Sequence, residues 1–147
     1  MLIQKTSDSA VIEIAGLGFE INITANTARE ISAVGEICKL YTYLHVREDQ
    51  LTLFGFSSPL ERSVFMLLLD VGGIGPRIAT AVLSVFTAPS FIQAVNGEDM
   101  AALQQVSGVG KKTAQRIILE LKDKVRRLGE EVDTDDGPAP DSDLATA

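Results

Sequence analysis

Gly73-Ile74-Gly75-Pro76-Arg77 is followed, 35 residues on, by Gly108-Val109-Gly110-Lys111-Lys112, and the likeness extends outward from Val71–Ala79 to Val106–Ala114. Each copy lies between two apolar runs of helical period. The pattern is that of a helix-hairpin-helix, two helices joined by a Gly-apolar-Gly turn. The glycines permit positive φ and let the backbone approach a ligand closely. The second helix of each pair then opens with unpaired N–H groups and a positive dipole end. Such a turn can hold a phosphate without reading a base. Lys111 and Lys112 stand beside those amides, Arg116 lies one turn beyond Lys112, and Thr113 offers a hydroxyl. Arg77 is the counterpart in the first copy. A single Gly-x-Gly before a helix says little, since many helix connections contain glycine. Two copies in register, each followed by basic residues, point to two phosphate grips on one nucleic-acid duplex. For Arg77 or Arg116 taken alone, a solvated helix face explains the charge nearly as well.

Other reactive side chains carry less. Glu48 and Asp49 are adjacent carboxylates at a turn. A general acid/base pair would have to face across a cleft, and consecutive turn residues are poorly suited to that, so the residues by themselves read as a solvated turn. His45, the one histidine, has no cysteine or second histidine nearby; no metal site is expected, and it reads as a strand surface residue. The lone Cys38 excludes an intrachain disulfide and reads as a small packing residue in a strand. Tyr41, Tyr43, Phe54 and Phe56 have rings that stack on bases in oligonucleotide-binding faces, or that fill a core or a subunit contact. No nucleotide-binding Gly-x-x-x-x-Gly-Lys-[Ser/Thr] loop occurs, and no cofactor is implied.

The elements that must position these groups fall into two blocks, giving an α+β chain. Residues 1–57 read as β. Phe19 to Thr24 alternates, Val11 to Ile14 forms a second strand, and Ala15-Gly16-Leu17-Gly18 turns between them. A long strand is predicted over Ile37–Arg47 and another over Leu51–Phe56, with a short helix over Thr27–Ile31. Several short strands and one small helix suggest an oligonucleotide-binding-type β-barrel. The period changes at Ser57. Ser58-Pro59-Leu60-Glu61 fits a capping box with proline at the first helical position, and helix is expected to about Val71. Further helices are predicted from Pro76 to Phe86, Pro89 to Val95, Glu98 to Gln105, and Lys111 to about Gly129. Residues 58–129 thus form a tandem helix-hairpin-helix domain. Residues 130–147, rich in acid and proline, read as a disordered tail or linker.

The net charge of −7 over 147 residues looks wrong for a nucleic-acid binder until it is divided along the chain. Residues 1–57 carry 4 basic and 7 acidic groups, residues 58–129 carry 9 and 6, and residues 130–147 carry 7 acidic groups alone. The basic excess coincides with the hairpins. Screening over roughly 8–10 Å at moderate salt keeps an acidic tail from cancelling a local basic patch. No signal peptide or apolar run of membrane-spanning length is read. The chain is expected to work in the cytoplasm, away from membranes.

The barrel, the string His45-Val46-Arg47-Glu48-Asp49-Gln50-Leu51-Thr52-Leu53-Phe54-Gly55-Phe56, the Glu61-Arg62-Ser63-Val64-Phe65 helix and the two hairpins ending in Gly108-Val109-Gly110-Lys111-Lys112-Thr113-Ala114 together resemble the RuvA family. That resemblance covers about residues 1–129. It implies a non-catalytic subunit that binds four-way (Holliday) DNA junctions and holds them open for branch migration in recombination and DNA repair, including the SOS response to DNA damage. It further implies a homotetramer, or an octamer of two tetramers stacked face to face. The implied partners are a hexameric RuvB-type ATPase and a RuvC-type resolvase. The hairpins, with Gly73, Gly75, Arg77, Gly108, Gly110, Lys111, Lys112, Thr113 and Arg116, would hold minor-groove backbones of the duplex arms. The resemblance also recasts Glu48 and Asp49 as an acidic pin at the crossover, repelling phosphates electrostatically. The family opens with a short strand that precedes the segment matching Met1 to Lys5, so an edge of the barrel is expected to be open here. It closes with a helical domain that contacts the motor. Ala147 falls within what resembles the acidic linker to that domain, so residues 1–147 are expected to bind a junction without efficient recruitment of the ATPase.

Two other functions fit a helix-hairpin-helix. Base-excision glycosylases and nucleases use it, but a glycosylase needs an aspartate beyond the hairpin and a pocket for a flipped base. Asp123 is the only acid in that direction, set between Lys122 and Lys124 on a helix surface. A general duplex-binding scaffold without junction preference is the third reading.

Overall fold

The computed structural model describes residues 1–134. Five strands form one sheet: β1 (Leu2–Lys5), β2 (Ser9–Ile14), β3 (Leu17–Ile23), β4 (Tyr41–Val46) and β5 (Leu51–Phe56), in the order β1-β2-β3-β5-β4. β2 and β3 pair antiparallel with Ile12 opposite Phe19 and Ile14 opposite Leu17. Their turn is the two residues Ala15 and Gly16, both at positive φ (52° and 86°), which matches the twist of a two-residue hairpin. β3 meets β5 in parallel at Asn22–Phe54 and Ile23–Gly55. β4 and β5 form a second hairpin from Tyr41–Phe56 to Val46–Leu51.

The strand expected over Ile37–Arg47 begins only at Tyr41. The reason is topological. Gly35 N donates to Leu2 O (2.8 Å) and Leu2 N donates to Glu36 O (2.9 Å), so the chain is still tied to β1 at this point. It must then reach β4, at the opposite edge of the sheet. Cys38 and Leu40 lie in that crossing and pack on a small core of Leu2, Ala10, Ile12, Ile21 and Ile23. Cys38 is therefore a packing residue, but not in a strand.

The helices follow: α1 (Ala25–Glu30) between β3 and β4, then α2 (Pro59–Leu69), α3 (Pro76–Val85), α4 (Ala88–Asn96), α5 (Met100–Gln104) and α6 (Lys111–Thr134). Their starts are chemically explicit. Ser58 Oγ accepts from Glu61 N (3.1 Å), Thr87 Oγ1 from Ser90 N (3.2 Å), and an Asp99 carboxylate oxygen from Ala102 N (3.1 Å), each satisfying an orphan donor of the first turn. α5 starts after Glu98 because Glu98 sits at φ 52°, outside helical space. The capping box at Ser58 is only half formed. The Glu61 side chain turns inward instead and accepts from the hydroxyls of Thr24, the N-cap of α1, and of Thr27 within it.

α6 continues past the expected stop at Gly129 to Thr134. Glycine costs about 1 kcal/mol in a helix interior, yet here the helix remains packed. Leu128 lies against the main core, and a Cβ at Gly129 would stand 3.7 Å from Ile92 of α4. Residues 130–134 thus belong to the helix rather than to a tail. Residues 135–147 of the expected tail lie outside the described residues.

Sheet and helices share one core. Phe65 of α2 has Phe56, Phe54 and Tyr43 around it at ring distances of 4.8, 5.2 and 5.9 Å. Phe54 and Phe56 are buried, so they are core residues and offer no stacking face. α1 adds polar ties. Asn26 Nδ2 donates to the carbonyls of Leu83 (2.7 Å) and Phe86 (2.8 Å) at the end of α3, and Ala25 N donates to Ser84 Oγ (3.1 Å). No single helix among the described residues is long and apolar enough to cross a membrane.

Candidate nucleic-acid interface

The two hairpins agree bond for bond at the 35-residue offset. α2 closes with Asp70 N donating to Leu67 O and Val71 N to Leu68 O; α5 closes with Gln105 N donating to Ala102 O and Val106 N to Leu103 O. Each turn is then pinned by its apolar residue. Ile74 N donates to Val71 O (3.1 Å) and Val109 N to Val106 O (3.0 Å), and both side chains are buried. The preceding glycines, Gly73 and Gly108, stand at φ 88° and 93°, where a side chain is strained. The second glycines do not share this conformation. Gly75 has φ −101° as the N-cap of α3, and Gly110 is not at positive φ. Both border open space: a Cβ on either would meet nothing within 4 Å.

The helix starts that follow are open. The first backbone bonds are Ala79 N to Gly75 O (3.0 Å) and Ala114 N to Gly110 O (2.9 Å). Among the described residues, the N–H groups of Arg77 and Ile78 in α3, and of Lys111, Lys112 and Thr113 in α6, have no intrachain acceptor. Pro76 has no N–H to offer. The second hairpin therefore presents more donors than the first. It also presents two exposed lysines against one exposed arginine. Thr113 is half-buried beside them.

Arg116 differs from the expectation of a free cation one turn along. Its Nη1 donates to Gly72 O at 3.0 Å, reaching from the second hairpin's helix to the first hairpin's turn. The Gly-x-Gly pattern does not include Gly72; the available signal is that the second copy has Ser107 at that place.

Glu48 and Asp49 form the exposed tip of the β4–β5 hairpin, closed by Arg47 N to Gln50 O (2.8 Å). Neither carboxylate has a side-chain partner among the described residues. His45 is not a plain surface residue. It is half-buried, its ring is 6.1 Å from Tyr43 and 6.4 Å from Phe54, and its Nε2 accepts from Arg47 Nε (3.3 Å). Asp123, the residue a glycosylase reading would need, is exposed and paired with Arg126 at 3.4 Å. Among the described residues no three His, Cys, Asp or Glu side chains gather as metal ligands. Glu61 has a carboxyl held above its ordinary range. Burial raises it, partly offset by the Thr27 and Thr24 hydroxyls, and it lies in the joint between sheet and helices rather than at the hairpins.

Residues 1–55 match the RuvA N terminal domain, and residues 65–123 match the SAM-like helix-hairpin-helix tandem. The chain is 50% identical over 117 residues to a protein of Herpetosiphon aurantiacus, covering 80% of this chain and 59% of that protein. It is 48% identical over 124 residues to one of Symbiobacterium thermophilum, covering 84% and 60%. It is 42% identical over 125 residues to one of Amoebophilus asiaticus, covering 85% and 64%. All three carry the name Holliday junction branch migration complex subunit RuvA. The chain thus spans about three-fifths of the length of these relatives. With the oligonucleotide-binding-type N-terminal domain and the hairpin tandem in the same order, and this identity along most of its length, the chain belongs to the RuvA family.

Proposed function

We propose that this chain binds four-way DNA junctions by their backbones and holds them open for branch migration by a partner ATPase, with no chemistry of its own. The observation that carries the reading is the pair of turns with matching hydrogen bonds, each ending in helix-start amides that have no acceptor among the described residues, with basic side chains beside them. Gly73, Gly75, Arg77 and Gly108, Gly110, Lys111, Lys112, Thr113 would each cradle one phosphate, and amides and point charges of this kind do not distinguish bases. The exposed tip at Glu48 and Asp49 would stand at the crossover and repel phosphates there. The domain division follows the same logic: residues 1–57 supply the tip and the assembly surface, residues 58–129 grip the arms, and the acidic segment from 130 on takes no part in binding. A homotetramer, four copies for four arms, fits the symmetry of the substrate, with a stacked octamer as its extension. The names of the relatives support a RuvB-type motor as partner; a RuvC-type resolvase and a cytoplasmic setting belong to the same proposal.

The test is a gel-shift comparison of a four-way junction with linear duplex of the same sequence. Preference for the junction, independent of base sequence, is the expected result. Equal affinity would make the chain a general duplex binder. Glycosylase and nuclease assays on the same DNAs should give no product; turnover would overturn the non-catalytic reading.

A further inference from the structure

Each hairpin turn rests on the second helix of the other hairpin. A Cβ at Gly108 would lie 3.4 Å from Ile78 Cγ1, so the second turn sits on α3. A Cβ at Gly72 would lie 3.0 Å from Arg116 Nη1, so the first turn sits on α6. The first contact is apolar. The second is a charge-assisted bond to a carbonyl just past the end of α2, where unsatisfied carbonyls and the negative end of the dipole favour a cation. The tie runs one way only. At the 35-residue offset, the place of Arg116 is taken in α3 by Ala81 and that of Gly72 by Ser107.

We propose that Arg116 is a positioning residue: its guanidinium straps the first turn to α6 and fixes the separation of the two phosphate grips, so that both engage one duplex arm together. The inference rests on the phosphate-gripping reading above. Two grips at a fixed spacing bind as a linked pair, and the second engagement gains from the high effective concentration set by the first. Loosening the spacing loses that gain even though every phosphate-binding group is still present. Gly72 has to remain small for the same reason. Its φ is not positive, so a side chain there is compatible with the backbone and would act by displacing the guanidinium.

The experiment uses the whole chain and three variants, Arg116→Ala, Gly72→Val and the double change, with a four-way junction as ligand and Kd measured across a salt series. Gly72→Val leaves the Arg116 charge in place, which separates positioning from direct phosphate binding. Circular dichroism and thermal melting show that each variant is folded. The expected result is a loss of about five- to tenfold for each single variant, the size of a charged hydrogen bond partly exposed to water. The double variant should be no weaker than Arg116→Ala, and the slope of log K against log[salt] should be unchanged. Two outcomes would overturn the proposal: binding by Gly72→Val that equals the unaltered chain, or a slope lowered by about one in Arg116→Ala alone, the mark of a phosphate no longer neutralised. If the unaltered chain binds neither junction nor duplex, the gripping reading itself falls, and this inference with it.

Discussion

Among the described residues, Lys111 and Lys112 stand beside three amides without an acceptor in the second hairpin, whereas Arg77 stands beside two in the first, because Pro76 carries no N–H. The two grips are therefore unequal. Replacing both lysines with alanine should weaken junction binding by a similar factor on every DNA sequence and lower the salt slope by roughly one for each phosphate no longer neutralised. Arg77→Ala should do less. The measurement is the salt series on a folded double variant, and an unchanged slope would remove the lysines from the interface. At the same scale the glycines show where sequence reading stops. The Gly-x-Gly pattern marks both turns correctly, but it does not say which glycine needs positive φ. The structure gives that role to Gly73 and Gly108 alone. Arg116 was legible as a cation on the right helix. Its partner was not, because a carbonyl 44 positions away leaves no trace in local spacing.

Glu61 is a residue whose titration bears on the whole fold. Its carboxyl is held above the usual carboxylate range, chiefly by burial. A raised folded-state value means that the native chain keeps a proton the unfolded chain has released. Stability from this group is thus fully present below the unfolded value of 4.5 and is lost as pH rises through the folded one. Glutamine keeps an oxygen to accept from Thr24 and Thr27 but cannot ionise. Glu61→Gln should melt with the unaltered chain near pH 4 and above it near pH 8. A lower melting temperature at pH 8 would mean that the charged form, at the first turn of α2, is the one the fold uses.

Among elements, the helix starts at Ser58–Pro59 and at Pro76 were the most legible, since these residues act through their own side chains or rings. The ends were less so. The glycine stop at 129 is overridden by packing on Ile92, a tertiary contact that no propensity encodes. Residues 37–40 read as strand because Leu40 continues the alternation of Leu44 and Val46, yet topology spends them on crossing the sheet. The β4–β5 hairpin carries its own prediction. Glu48 and Asp49 are exposed and have no side-chain partner among the described residues, so at a crossover lined with phosphates their charge opposes binding. Exchanging them for glutamine and asparagine should leave junction affinity equal or tighter, with the gain growing as salt falls, and should alter the rate or control of branch migration. Marked loss of junction affinity in a folded variant would show that the pair serves structure instead.

At the level of the molecule, the sequence divides into a sheet block and a helix block, and the structure joins them through a shared aromatic core and the hydrogen bonds of α1. The division was legible because the hydrophobic period changes at Ser57. The joining was not, because Phe54 and Phe56 have the same composition whether they stack on bases or on Phe65. Charge adds the last constraint. The hairpin block has 9 basic groups against 6 acidic, while residues 135–147 hold four more carboxylates and no cation. If these only contribute to the field, their effect on DNA binding must follow the screening length, about 8 Å at 0.15 M salt and about 30 Å at 0.01 M. Ending the chain at Thr134 should then change junction affinity by less than about threefold at physiological salt, with a larger gain near 0.01 M, where repulsion of the phosphates reaches further. The check is a pair of salt titrations, one on each length of chain. A large gain that persists at 0.15 M would point to something other than a distant field: carboxylates occupying the hairpin amides in place of phosphate, and so competing with DNA for the grip itself.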